Sequence, residues 1–229
     1  MKKIVIVGGV VLVLMLALLA YAFLRTPEEA SEPIVAVPIS ETEGETSLGA
    51  EGLTVFQISS TDSQVRFQLD EDLRGSRITV VGSTNQVAGE IALDFNDLTT
   101  VEVGVIQINA RTLATDNNMR NRAIQNQILD TGSYEYITFT PTAVNGLPDS
   151  ISVGDSVSFT LGGELTIRDV TSPATLTVEA TAVSATQIRG TASTIVTRET
   201  YGLTIPNVPN VANVEDEVEL TIDFVANAS

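Results

Sequence analysis

The groups in this chain best suited to gripping a polar ligand are arginines: Arg120 and Arg122 midway along it, then Arg168 and Arg198. A guanidinium presents a planar fork of donors, so it can meet a phosphate or carbonyl through paired hydrogen bonds. Arg120 and Arg198 are the two candidates for such a headgroup contact. Each could equally pair with one of the 29 acidic residues. Two acidic runs, Asp70-Glu71-Asp72 and Glu215-Asp216-Glu217, bring together oxygen ligands of the kind calcium takes. Neither has calcium-loop spacing, so both read as solvated turns and no metal is expected. Histidine and cysteine are absent, which removes Ser-His and Cys-His nucleophiles, histidine metal sites, thiol chemistry and disulfides together. No pair of carboxylates is spaced for acid–base work. The expectation is a protein without enzymatic activity or cofactor.

Charge narrows the partners. The formal net charge is −17 over 229 residues. Lys2, Lys3 and Arg25 are three of the twelve basic residues, so beyond Arg25 nine face 29 acids, a balance of −20. Nucleic acid is excluded as a partner on that ground, and direct docking to anionic headgroups is disfavoured.

The segment that must position Arg120 spans residues 112–139. Met119, Ala123, Ile124 and Ile128 recur at helical spacing, so they share one face of a short helix. Asp116, Asn117 and Asn118 supply acceptors where it would start, and Gly132-Ser133 ends the excursion. An ordered insertion of this length is a lid or binding element, or else a plug over one barrel end. Its apolar face is expected at a partly buried mouth, with Arg120 and Arg122 pointing elsewhere.

Around this insertion the chain after residue 53 alternates apolar and polar with a period of two, as half-buried strands do. Val65, Phe67 and Leu69 share one face of an early strand, which ends at a charged turn over residues 70–75. Val87, Ile91, Leu93 and Phe95 share one face of the longest alternation. Phe139 opens the second half; Phe159 and Leu161 lead into Gly162-Gly163, a bulge or bend, and Leu165 continues the line. Leu176 and Val178 belong to the next strand. Eight to ten strands with short turns and no interleaved helices predict an all-β protein, an antiparallel barrel or sandwich. The inward residues, with Met119, Ile124 and Ile128 from the insertion, suit either an apolar ligand in the lumen or a dry core.

The N-terminus is read separately. Residues 4–24 form an uncharged run of 21 residues after Lys2 and Lys3, long enough to cross a bilayer. Residues 1–25 are therefore expected to anchor the chain by a transmembrane helix, N-terminus cytoplasmic, the rest extracytoplasmic; a cleaved signal peptide is the alternative, and without cysteine a lipoprotein is excluded. Residues 26–52 hold three prolines, seven glutamates and no basic residue, and read as a self-repelling tether. Residues 53–229 form the domain.

Four blocks resemble the YceI-like polyisoprenoid-binding family of extracytoplasmic proteins. They are F-Q-I-S-S-T-D-S-Q-V-R-F-Q-L at 56–69; T-D-N-N-M-R-N-R-A-I with Y-E-Y-I-T-F at 134–139; G-E-L-T-I-R-D-V-T-S-P-A-T-L at 163–176; and R-E-T-Y-G-L at 198–203 with V-E-L-T-I-D-F at 218–224. The resemblance implies an eight-stranded antiparallel lipocalin-like barrel whose lumen holds an isoprenoid-type lipid, such as a polyprenyl or quinone tail. The chain departs from the family pattern at Asn121 and Ala123, where Asp and His are usual. It departs also at Ile128-Leu129, a Phe pair in relatives, at Glu135, often Pro, and at Asp169, usually Gly. Headgroup specificity therefore does not transfer.

Overall fold

The computed structural model describes Tyr21, residues 25–39 and residues 52–229. The expected membrane anchor at residues 1–25 falls almost wholly outside the described residues. Among the described residues no helix is long and apolar enough to cross a membrane.

Thirteen strands among the described residues form one antiparallel sheet. They are β1 (Thr54–Ile58), β2 (Gln64–Leu73), β3 (Ser76–Thr84), β4 (Val87–Ala88), β5 (Glu90–Asp94), β6 (Asp97–Val103), β7 (Ile106–Asn109), β8 (Tyr136–Asn145), β9 (Ser156–Ile167), β10 (Val170–Ser184), β11 (Gln187–Thr197), β12 (Val211–Ala212) and β13 (Glu217–Ala228). Several are collinear pieces of longer staves. β1 and β2 both run antiparallel to β13, β3 and β5 pair with β2 and β1, and β6 and β7 pair with β5 and β4. From β7 the ladder continues through β8, β9, β10 and β11 back to β13. The sheet therefore curls into a ring of eight staves in sequence order, leaving few exposed edges. A bridge between Ser83 and Ala114, with backbone hydrogen bonds of 2.9 and 3.0 Å, extends the seam beyond β4.

Alternation decides which face points inward. Along β9, Leu161, Gly163, Leu165 and Ile167 are buried while the residues between them are less so. The anticipated bulge is real but lies across the ladder, where Pro141 pairs with Gly163 and Ala143 with Gly162, leaving Thr142 as the extra residue of β8. The charged turn expected at residues 70–75 is shorter. β2 runs through Asp70-Glu71-Asp72 to Leu73, and only Arg74 and Gly75, at φ 54° and 82°, make the turn. Positive φ at both centres matches the right-handed twist of a two-residue hairpin. Period two then carries Glu71 inward with Leu69, the opposite of a solvated turn.

The barrel ends differ. At one, the loop after β8 is tied down by Leu98 N–H to Asp149 O at 2.7 Å and Ile151 N–H to Phe95 O at 2.9 Å. Phe56 and Phe95 meet nearby with ring centroids 5.8 Å apart. At the other end lie the insertion between β7 and β8 and the segment joining β11 to β13.

Residues 25–39 form no strand, as a proline- and glutamate-rich stretch should not, but they are not a free tether. Ser31 donates to Glu135 from its N–H and its Oγ, at 2.9 and 2.7 Å, and Ile39 N–H donates to Glu90 Oε2 at 3.0 Å. Arg111 bonds Glu28 at 3.0 Å and donates to Ser31 Oγ at 3.0 Å. Polar contacts, which composition does not reveal, lay this segment along the barrel wall.

Candidate functional site

The insertion begins as its sequence suggests. Asn117 caps the helix Asn118–Ala123, its side chain accepting from Met119 N–H and Arg120 N–H at 2.9 and 3.2 Å. Its last turn widens into a π-helical segment, Ile124–Ile128, closed by Leu129 N–H to Ile124 O at 2.8 Å. Asn121 folds back to accept from Thr115 N–H and Oγ1, both at 2.7 Å, so it braces the entry loop. Gln125 donates to the carbonyls of Arg111 and Leu113 at 2.8 and 3.0 Å, which sets the insertion across the barrel end.

Beneath it lies a cavity of about 550 Å³, within the span of about 300–1,000 Å³ typical of small-molecule sites. The structure brings most of the sequence-predicted lumen residues to its wall. Val65, Phe67 and Leu69 enter from β2, Phe139 from β8, Leu165 from β9 and Leu176 from β10. Met119, Ala123, Ile124 and Ile128 form the roof, as their helical spacing anticipated. Their exposure is uneven: Ile124 is 9% exposed whereas Met119 is 48% exposed. The apolar face thus runs from core to solvent over one and a half turns, rather than lying at a uniformly half-buried mouth.

Other predicted lumen residues are elsewhere. Ile91, Leu93, Phe95, Phe159, Leu161 and Val178 surround a separate void of only about 80 Å³ toward the loop-closed end. Val87 is fully buried and lines neither space. Ala192 and Ile222 border both, marking the level where packed core gives way to cavity.

A second wall was not foreseen. After β11, Leu203, Ile205, Pro206, Val208, Pro209 and Val211 fold over the cavity's open side. The signal in the sequence was apolar residues in a stretch whose two prolines cannot join a ladder. Arg198 holds this segment, donating to the carbonyls of Glu215, Val214 and Leu203 at 2.8, 3.0 and 3.4 Å. It borders the cavity, but its guanidinium is spent on backbone. Buried Tyr201 lies beside it; burial pushes its phenol up, a hydrogen bond with Ser172 opposes this, and the Glu164 charge adds to the rise.

Arg120 does not point away from the lumen. It borders the cavity and bridges Glu71 at 3.0 Å and Asp116 at 2.7 Å. Glu71 is 6% exposed and lines the cavity in its turn. Arg122 does not border the cavity, and Arg168 lies outside it, 5.8 Å over the Tyr134 ring with Nη1 3.4 Å from Ile128 O. Among the described residues no group of three or more acidic residues is arranged to hold a metal ion.

At the base of the insertion Glu135 accepts from Ser31, from Asn109 Nδ2 at 2.9 Å and from Arg111 at 3.0 Å. Burial pushes its carboxyl up, but the Ser31, Asn109 and Arg111 donors together outweigh burial and hold it below the usual carboxylate range.

Comparison with known proteins gives a consistent answer. The YceI-like domain profile matches residues 56–226. No curated protein matches the chain. Among solved structures, the chain is similar to a polyisoprenoid binding domain from Saccharophagus degradans implicated in plant cell wall breakdown, with TM-score 0.62 and 15% identity over 77% of this chain and 99% of that one. It is similar to BcnA of Burkholderia cenocepacia at TM-score 0.56 and 17% identity, over 74% of this chain and 99% of the other. A YceI protein of Campylobacter jejuni matches at TM-score 0.51 and 17% identity, over 65% and 84% of the two chains. At these identities the likeness speaks for the fold.

Proposed function

This chain belongs to the YceI-like domain family, and on that premise we propose that it is a binding protein that holds one isoprenoid-type lipid, polyprenyl or quinone-like, in the cavity under the insertion. The observation that carries this reading is the cavity itself: about 550 Å³ walled by aliphatic and aromatic side chains from β2, β8, β9, β10, the insertion and the 203–211 segment. An apolar tail entering it gains about 0.8 kcal/mol for each CH₂ removed from water. The relative described as a polyisoprenoid binding domain supports the same ligand class. The competing reading, a solidly packed ectodomain built for display, fits only the other half of the barrel, where the void is about 80 Å³.

The protein works as a carrier or sequestering protein without chemistry, anchored through residues 1–25 with its barrel on the extracytoplasmic side. The uncharged run at residues 4–24 supports the anchor. Asn126 Nδ2 donating to Arg25 O at 2.8 Å, and Arg25 lying 3.5 Å from Asp130, support a cavity end held close to the membrane.

Native mass spectrometry of the full-length protein in detergent, followed by solvent extraction, tests the binding reading. A co-purifying lipid of isoprenoid mass, or uptake of a fluorescent polyprenyl probe, is the expected result. Protein that emerges empty and takes up no probe overturns it.

A further inference from the structure

Among the described residues Glu71 is the one acid that lines the cavity, and it says more about the ligand than the apolar walls do. Glu71 sits on the inward face of β2, in line with Val65, Phe67 and Leu69, and the helix that roofs the cavity supplies its partner, Arg120. We propose that Glu71 and Arg120 form a head subsite for an uncharged lipid head bearing a hydroxyl, and that this subsite disfavours phosphorylated heads. The inference rests on the lipid-cavity reading above and names the class of ligand within it.

The electrostatics of the cavity end decide between head types. A phosphate needs guanidiniums with donors to spare. Arg120 is shared between Glu71 and Asp116. Arg198 is committed to three backbone carbonyls, with Asp216 3.8 Å away. Arg66 pairs with Asp223 at 2.6 Å. Arg77, beside the β2–β3 turn, is surrounded by Asp70, Asp72 and Glu215. Arg74 alone among these borders the cavity without a carboxylate partner among the described residues, and it stands exposed in the turn. Counting those that line the cavity, Arg66, Arg74, Arg120 and Arg198, with Arg77 beside them, five guanidiniums thus face seven carboxylates: Asp70, Glu71, Asp72, Asp116, Glu215, Asp216 and Asp223. A second anion brought beside Glu71 meets like charge in a water-poor space, where repulsion is strong.

A hydroxyl meets the opposite situation. One Glu71 oxygen accepts from Arg120, and a carboxylate has lone pairs for further donors. A hydroxyl donating to it forms a charge-assisted bond without adding charge.

Equilibrium dialysis of the full-length protein in detergent, with labelled geranylgeraniol and geranylgeranyl monophosphate as probes, tests the proposal. The alcohol is expected to bind at least about 10-fold more tightly, the scale of one charge-assisted hydrogen bond gained and a repulsion avoided. In Glu71→Gln, which keeps the shape and removes the charge, that ratio is expected to fall toward unity as the phosphate gains and the alcohol loses. Equal or tighter phosphate binding by the native protein overturns the proposal without reference to any variant, and so does an unchanged ratio in a folded Glu71→Gln. Failure of both probes to bind overturns the cavity reading itself and the subsite with it.

Discussion

Phe67 and Gly82 face each other across the β2–β3 ladder, and the Phe67 ring occupies the place a side chain at 82 would need: a Cβ there would lie 2.2 Å from its Cε1. The two other atoms nearest that Cβ belong to the same ring. Gly82 is thus a seat that keeps Phe67 against the wall of the cavity.

Gly82→Ala should therefore push the Phe67 ring into the cavity. Because a half-buried ring can yield more readily than backbone, the stability cost should stay near about 1–2 kcal/mol, read from the denaturant midpoint. Lipid capacity should fall much more than stability, measured as polyprenyl probe uptake per folded protein. A variant that binds as the native protein does would show that the ring swings outward or that the ligand lies elsewhere.

The roof offers a paired test, because its apolar face grades from core to solvent. Ile124→Asp buries an unpaired charge among core side chains and should cost several kcal/mol, on the order of 3–5. Met119→Asp, on the same face but 48% exposed, should shift the melt by no more than about 0.5 kcal/mol while slowing lipid entry at the mouth. Thermal melts beside stopped-flow probe uptake measure both. Equal destabilisation by the two would mean that the roof packs as one rigid plug.

The sequence was readable where a side chain's role follows from its neighbours along the chain. Period-two alternation marked the staves, and the spacing of Met119, Ala123, Ile124 and Ile128 marked a roof that does border the cavity. It was not readable where the role depends on chain brought from far away. Asp70-Glu71-Asp72 has the composition of a turn, and only pairing with β3 and the reach of Arg120 make Glu71 an interior acid. Nothing local to Phe159 or Leu161 separates them from Leu165, yet the former border the small void and the latter the large cavity. Level along the barrel axis comes from register, which a single strand does not encode. The docking of residues 25–39 was hidden for the same reason, since it depends on Glu90, Arg111 and Glu135.

Arg198 should prove a structural residue and not a headgroup ligand. Lysine cannot reproduce a fork that reaches the carbonyls of Leu203, Val214 and Glu215 together. Arg198→Lys should cost about 1–3 kcal/mol and open the 203–211 segment to proteolysis, while leaving the alcohol-to-phosphate preference unchanged. A shift in that preference without loss of protection would place the guanidinium on the ligand instead.

The last prediction concerns acid. Glu135 joins the N-terminal segment to the barrel, accepting from Ser31 on one side and from Asn109 and Arg111 on the other. Its carboxyl is held below the usual range in the folded, docked state, so the undocked state takes up the proton first as pH falls. The stability it contributes is therefore fully present above the ordinary glutamate value of about 4.3, and it is lost as pH drops below that toward the folded value. The Ser31 amide should accordingly keep its hydrogen-exchange protection, measured relative to intrinsic rates, down to about pH 4.3 and lose it progressively below that. Glu135→Gln should show that loss already at pH 7, by roughly ten- to a hundredfold, since the acceptor of two Ser31 hydrogen bonds and of the Arg111 charge is neutralised. It should then change little on acidification. Native protein whose N-terminal segment stays equally protected at pH 3.5 would show that Glu90 and Arg111, through Ile39 and Glu28, hold the segment without Glu135.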